Sequence, residues 1–230
     1  MTDASITFGI TAVEAYLLRC GDVLRRHQRG LTALDTALGD GDHGDNMVLG
    51  FAAIEDLLAS PRAPEMTLGE LLQQAGHRLV ASVGGASGPL YGTAFLEAGF
   101  QIGRRREVDL PTLGHALVAA ADGLARRGRC RVGDKTILDT LRPAADAFAA
   151  AIADGAELPV AARAMFRAAF SGMRGTRPLV ARRGLALRLG ERSAGHLDPG
   201  AVSAFLLLRA MNPRERRARG WRTHAAMSAV

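Results

Sequence analysis

Apolar residues recur three and four positions apart along nearly the whole chain, and this period constrains the fold more than any other feature. In "TAVEAYLLRCGDVLRRHQ", Val13, Leu17, Cys20 and Leu24 fall on one stripe, with Arg19, Asp22, Arg25 and Arg26 off it. Similar stripes run through 43–60, 67–82, 88–103, 111–128, 137–153, 157–173 and 200–211. The spacing predicts about eight helices. Alternating runs are absent, and valine and isoleucine are sparse beside alanine and leucine, so strands are not expected. The breaks "SPRAPEMT", "SVGGASGP" and "RGRCRVGDKT" are short, which favours antiparallel neighbouring helices in an all-α bundle or closed barrel. The connection at about 174–200 is long for a compact domain, and such segments are usually functional or disordered.

A chain of 230 residues can bury one core, so a single domain is the default. No apolar run approaches the roughly 20 residues a membrane span requires. The first ten residues carry Asp3 and no basic side chain, so a secretory signal is not expected and a cytoplasmic location is. Cys20 and Cys130 have no paired spacing, and two buried thiols are the expectation. The formal charge of +6 is local. "RAMNPRERRARGWR" (209–222) holds six Arg against Glu215, leaving the remainder close to neutral. Residues 1–212 are therefore expected to form the domain and 213–230 a solvated basic tail. Trp221 is its one aromatic, which is no stacking platform, so nucleic acid is not an expected partner. The chain has 29 basic side chains, and Lys135 is the one lysine. Its place in "GDKTILDTL" suits a compact ammonium better than a planar fork.

Three loops carry chemistry-bearing residues. "LGDGDHGDNM" (38–47) satisfies a G-x-G-x-x-G pattern, but no strand precedes it and its aspartates would repel a pyrophosphate. It also fails as a calcium-binding helix–loop–helix, having Gly44 at the fifth position and Phe51 at the twelfth. Two readings remain open from spacing. Asp35, Asp40 and Asp42 can form a hard-cation site of oxygen ligands, the metal in turn holding phosphate. Alternatively, Asp42 or Asp45 caps a helix starting near His43. In "GGASGPLYG", Gly84, Gly85, Ser87 and Gly88 precede a helix opened by Pro89, an arrangement suited to an anion. Pro89 excludes the nucleophile elbow of hydrolases there. "GERSAGHLDPGA" offers Ser193, His196 and Asp198 without the strand–turn–helix of a hydrolytic triad, and Asp198–Pro199 suits a helix start.

Taken together, "LDTALGDGDHGDNM", "SVGGASGPLYG", "GDKTILDTL" and "LGERSAGHLDPGA" resemble, in order and spacing, the nucleotide-binding L subunit of bacterial dihydroxyacetone kinases. The similarity extends over roughly residues 10 to 210. It implies an eight-helix antiparallel up-and-down closed barrel with the nucleotide site at one end. By position, Asp35, Asp40 and Asp42 match aspartates holding two Mg²⁺ ions. His43, Gly44, Asp45 and Asn46 match the helix start that touches the nucleotide. Ala86 and Ser87 match the phosphate loop, and Gly128 and Ile137 positions near the adenine. Asp198, Pro199 and Gly200 match a loop closing over the nucleotide. Leu185 replaces an arginine of the family pattern, and Arg188, Arg182 or Arg183 is expected to supply that charge.

The resemblance implies a kinase component that holds ADP or ATP with Mg²⁺ and donates the γ-phosphoryl to dihydroxyacetone or a related short ketose. The ketose would be held by a separate K-type subunit. Two phosphate sources fit, ATP directly or a bound ADP recharged by a phosphotransfer-system protein. The alternative from another class is a nucleotide-loaded regulatory protein without turnover of its own.

Overall fold

A computed structural model describes residues 6–61 and 65–212. The basic tail expected at 213–230 lies outside the described residues. Eight α-helices carry the apolar stripes: α1 (Ile10–Thr36), α2 (His43–Leu58), α3 (Leu68–Ser82), α4 (Ser87–Ile102), α5 (Leu110–Gly128), α6 (Leu138–Ala153), α7 (Leu158–Gly175) and α8 (Pro199–Arg209). Each packs on its neighbour in sequence, and α8 returns to α1, closing the barrel. One connected core, including Leu17, Leu24, Phe51, Leu79, Phe148 and Leu206, fills the interior. A helix apolar on every face belongs inside, and α8 is buried at each position from Pro199 to Leu208, against α1, α6 and α7.

Local chemistry sets several helix starts. Thr67 and Glu70 form a reciprocal capping box at α3, satisfying two amides that would otherwise lack partners. Asp109 accepts from the Thr112 amide at α5, and Asp198 from the Ala201 amide at α8, each followed by proline in the first turn. The Asp198–Pro199 start expected from sequence is thus present.

Two features depart from the sequence expectations. A short antiparallel ribbon pairs β1 (Thr7–Gly9) with β2 (Glu107–Asp109), Phe8 opposite Val108. Three residues per strand are too few for an alternating pattern to register. The ribbon buries Val108 beside Leu68, Leu72 and Ile102. Cys130, expected to be buried like Cys20, is only half-buried, because it lies on the connection after α5.

The α3–α4 pair determines where the loop between them sits. A Cβ on Gly76 would lie 2.7 Å from the Gly92 carbonyl oxygen, and one on Gly92 2.8 Å from that of Gly76. Two turns along, Gly69 and Gly99 repeat the same reciprocal contact. The backbones touch, which fixes the separation and aims residues 83–87 at one end of the barrel. Gly92→Ala should therefore lower stability by about 1–3 kcal/mol through overpacking. Urea denaturation checks this as a lower midpoint at unchanged slope. Gly175→Ala, whose Cβ meets nothing within 4 Å, should cost nothing.

Candidate functional site

The last turn of α1 and the first of α2 are joined by a turn containing Gly39 and Gly41. Gly41 has φ +78°, a left-handed conformation that glycine adopts without strain. A Cβ on Gly39 would lie 2.5 Å from Asp35 Oδ1, so glycine lets the turn fold onto that carboxylate. Asp35 Oδ2 accepts the amides of Asp42 and His43, at 3.0 and 3.1 Å. The capping of α2 is thus performed by Asp35 from the preceding helix. Asp42 stands at the N-cap position without a side-chain cap bond, and Asp45 accepts from Gln28 Nε2 at 2.7 Å. The capping alternative for Asp42 and Asp45 is corrected accordingly.

The structure brings Asp35, Asp40 and Asp42 together, one ligand oxygen from each lying within 4.8 Å of the others. Asp35 is only 9% exposed, whereas Asp40 and Asp42 face solvent. The Asp42 carboxyl is held above the ordinary range by partial desolvation and by the charges of Asp40 and Asp35, against an opposing hydrogen bond from Asn46. Three carboxylates with hard oxygen donors fit Mg²⁺, which takes a few carboxylates and leaves positions for phosphate and water.

Around this cluster, His43 joins two of the sequence motifs to α8. Its ring is 5% exposed. Nδ1 lies 3.0 Å from Ser87 Oγ at the start of α4, and Nε2 2.8 Å from Ser203 Oγ in α8. Ser203 Oγ is also 2.7 Å from Tyr91 Oη and donates to the Gly200 carbonyl. Burial pushes the His43 pKa down to about 4, so the imidazole is neutral at pH 7, with one nitrogen donating and the other accepting. Neither Ser203 nor Tyr91 was anticipated from sequence. The one available signal was a hydroxyl inside the otherwise apolar "GAVSAFLLL".

The remaining predicted residues largely gather at the same end. Asn46 lies beside Gly84, whose Cβ would be 3.4 Å from Asn46 Oδ1. Gly44 lets α2 lie against α1, since a Cβ there would meet the Gln28 carbonyl oxygen and the Thr32 backbone. Ala86 is the N-cap of α4 and has no side chain that could occupy the amides of its first turn. Ile137 is buried against Gly200 beside Asp198. Gly128 ends α5 beside Leu90 and Cys130. These contacts place the N-termini of α2, α4, α6 and α8 at one end of the barrel, where the helix dipoles favour an anion and the first amides of α4 carry no side-chain cap. Arg188 is the exception. It is exposed in the 3₁₀ segment Leu185–Ser193, and its side chain makes no ion pair or hydrogen bond among the described residues. Leu185 is likewise 41% exposed.

Lys135 has a structural part that sequence only hinted at. It is 1% exposed, with φ +63°. Its ammonium donates to the Thr176 carbonyl at 2.6 Å and to the His196 carbonyl. Both roots of the long 176–198 connection are thereby held by one residue, and Asp198 adds a bond from its amide to Thr176 Oγ1 at 3.1 Å. Desolvation lowers the Lys135 pKa, against Asp198 and Asp139. Asp198 is pushed up to about 7, chiefly by burial, with the Ala201 amide and Lys135 opposing.

Residues 37–213 match the DAK2 domain. The chain is 38% identical over 198 residues to the PEP-dependent dihydroxyacetone kinase, ADP-binding subunit DhaL of Escherichia coli strain K12, covering 86% of this chain and 93% of that protein. It is 33% identical over 188 residues to the D-erythrulose kinase of Mycolicibacterium smegmatis, covering 82% of this chain and 32% of the relative. The crystal structure of the dihydroxyacetone kinase from C. freundii in complex with AMP-PNP and Mg²⁺ superposes with a TM-score of 0.65 at 25% identity, over 92% of this chain and 35% of that one. The chain thus spans about a third of the larger kinases and nearly all of the bacterial subunit. Among the described residues no helix is long and apolar enough to cross a membrane.

The buried imidazole generates a pH dependence. The unfolded chain takes up a proton on His43 near pH 6.5, whereas the folded protein resists until about pH 4. Stability from this residue is present above pH 6.5 and lost as pH falls towards 4, by up to roughly 3 kcal/mol. Thermal or urea melts at pH 7 and pH 4.5 should show a larger loss for the natural sequence than for His43→Gln. Equal losses would count against the buried neutral ring.

Proposed function

The chain belongs to the DAK2 domain family, and from that premise we propose that it is the ADP-binding subunit of a dihydroxyacetone-type kinase. The observation that carries this reading is the meeting of three carboxylates with four helix N-termini at one end of the barrel. Carboxylates alone would repel a nucleotide, and helix N-termini alone would bind any anion. Together they suit a metal-bound phosphate. Asp35, Asp40 and Asp42 would hold Mg²⁺, two ions in our reading, and the metal supplies neutralisation of phosphate charge. Amides of residues 84–87 and the Ser87 hydroxyl would receive phosphate oxygens, with His43 fixing the Ser87 rotamer. Ile137, Gly128 and the Asp198–Gly200 turn would enclose the base. Lys135 would hold the segment that closes over it. Phosphoryl transfer depends on positioning and electrostatics more than on covalent chemistry, so no separate nucleophile is assigned.

In this reading the acceptor ketose, dihydroxyacetone or a four-carbon relative such as erythrulose, sits on a separate K-type subunit in the cytoplasm. The phosphate comes from ATP, or from a phosphotransfer-system protein that recharges bound ADP. Residues 1–212 constitute the functional domain. A second reading is a nucleotide-loaded regulatory protein, favoured by Leu185 at the position of a family arginine, with the Arg188 side chain making no ion pair or hydrogen bond among the described residues.

One coupled assay decides between them. The protein alone should give no ketose phosphorylation above background, because this reading assigns the orientation of the acceptor hydroxyl to the K subunit. Adding a K subunit and phosphate donor should give turnover, and Asp42→Ala in that mixture should remove at least 99% of it, roughly the 2.7 kcal/mol scale of losing a key electrostatic group. Robust turnover by the chain alone would contradict the two-subunit account. No turnover with any K subunit, despite bound nucleotide, would favour the regulatory reading.

A further inference from the structure

A cavity of about 430 Å³ opens between the α5–α6 connection and the long segment before α8, lined by Arg129, Cys130, Arg131, Asp134, Arg182 and Arg183. None of these is a ligand residue of the carboxylate cluster. Four guanidinium groups face one carboxylate, and that carboxylate is committed. Asp134 is 4% exposed on its side chain, accepts the Arg131 amide at 3.0 Å, and has Arg183 and Arg131 guanidinium nitrogens 3.7 and 3.9 Å away. The side chains of Arg129 and Arg182 have no acidic partner among the described residues.

The walls are built rigidly. Asp139 accepts the amides of Gly133 and Thr136, at 2.6 and 2.7 Å, fixing the 131–136 turn. The Arg182 amide donates to the Asp134 carbonyl at 3.1 Å, joining the two walls. Arg129 and Lys135, the non-glycine residues of positive φ among those described, at 47° and 63°, bracket that turn. At Arg129 the left-handed backbone is the C-cap that ends α5, and at Lys135 the two carbonyl bonds of the ammonium hold it, so both ends of the turn are fixed. Arginine forks recognise the tetrahedral oxygens of phosphate in bidentate fashion. The pocket is open to solvent and of a size to admit a small molecule.

We infer that this arginine pocket is a second anion site, separate from the carboxylate cluster, that binds a small phosphate monoester. Its two walls belong to different segments, so an occupant ties the 176–198 connection to the turn after α5. This inference goes beyond the nucleotide reading: Arg182 and Arg183, expected from sequence as alternatives to the family arginine, line this pocket instead, and because its 129–134 wall runs between Gly128 and Ile137, competition with Mg²⁺–ADP separates the two sites.

Calorimetry on the full chain, free of Mg²⁺ and nucleotide, tests it with glycerol 3-phosphate as probe. Saturable one-to-one binding is expected, weakened at least tenfold in Arg182→Ala, and unchanged in Asp42→Ala or by added Mg²⁺–ADP. Arg182 is exposed and has no acidic partner to lose, and Arg129→Ala serves as a second variant. Hydrogen exchange of residues 177–195 should slow on binding. No saturable heat would overturn the proposal, as would sulfate binding equally tightly, which marks an adventitious anion only. Competition by Mg²⁺–ADP would make the pocket an arm of the nucleotide site, and tighter binding of a poly-glutamate peptide would assign it to an acidic protein; either result overturns it. A Mg²⁺–ADP titration of the same preparation reads the nucleotide site separately.

Discussion

The Asp35 carboxylate, accepting the amides of Asp42 and His43, ties the end of α1 to the start of α2, and the rest of the site is arranged around that tie. With the α2 amides satisfied from behind, Asp40 and Asp42 are released from capping and gather beside Asp35. The same bond sets the direction in which His43 enters the core. From there the imidazole spans Ser87 and Ser203, so the 83–87 loop and the last helix are joined through one ring. A buried neutral histidine with both nitrogens engaged is a demanding arrangement, because losing either partner leaves a buried polar atom unsatisfied.

Electrostatics explains why so much negative charge is tolerated at this end. Carboxylates within 4.8 Å of one another repel, and no basic side chain is hydrogen-bonded to any of the three among the described residues. Helix dipoles from α2, α4, α6 and α8 offset part of that cost, and solvent around Asp40 and Asp42 screens more of it. In the proposed reading, the repulsion that remains draws a divalent cation to the cluster. Metal binding here is expected to relieve repulsion and leave the fold unchanged, since Asp40 and Asp42 contribute no core packing.

The helices were legible because each buries an apolar stripe whose 3.6-residue period survives in the sequence. Asp35, Asp40 and Asp42 were legible too, lying within eight residues of one another. Lys135 stood out as the one lysine, but its two carbonyl partners lie 41 and 61 residues away, and only the fold reveals them. The His43–Ser203 bond spans 160 residues and leaves no local pattern. The glycine contacts of α3 and α4 were hidden for a different reason: glycine within a helical stripe reads as a weakness until the partner backbone is seen. Arg188 could not be placed from spacing, because the 3₁₀ segment breaks helical phase at Gly190, which has φ +53°.

The central claim is that three aspartates on one turn hold the metal that holds the phosphate. Crystals grown with Mn²⁺ and ADP test it most directly, through the anomalous scattering of manganese. The account predicts anomalous peaks bounded by Asp35, Asp40 and Asp42 on one side and the nucleotide phosphates on the other, with Ser87 close to a phosphate oxygen. A nucleotide bound with no anomalous peak at these carboxylates, or with its phosphates elsewhere on the barrel, would contradict it.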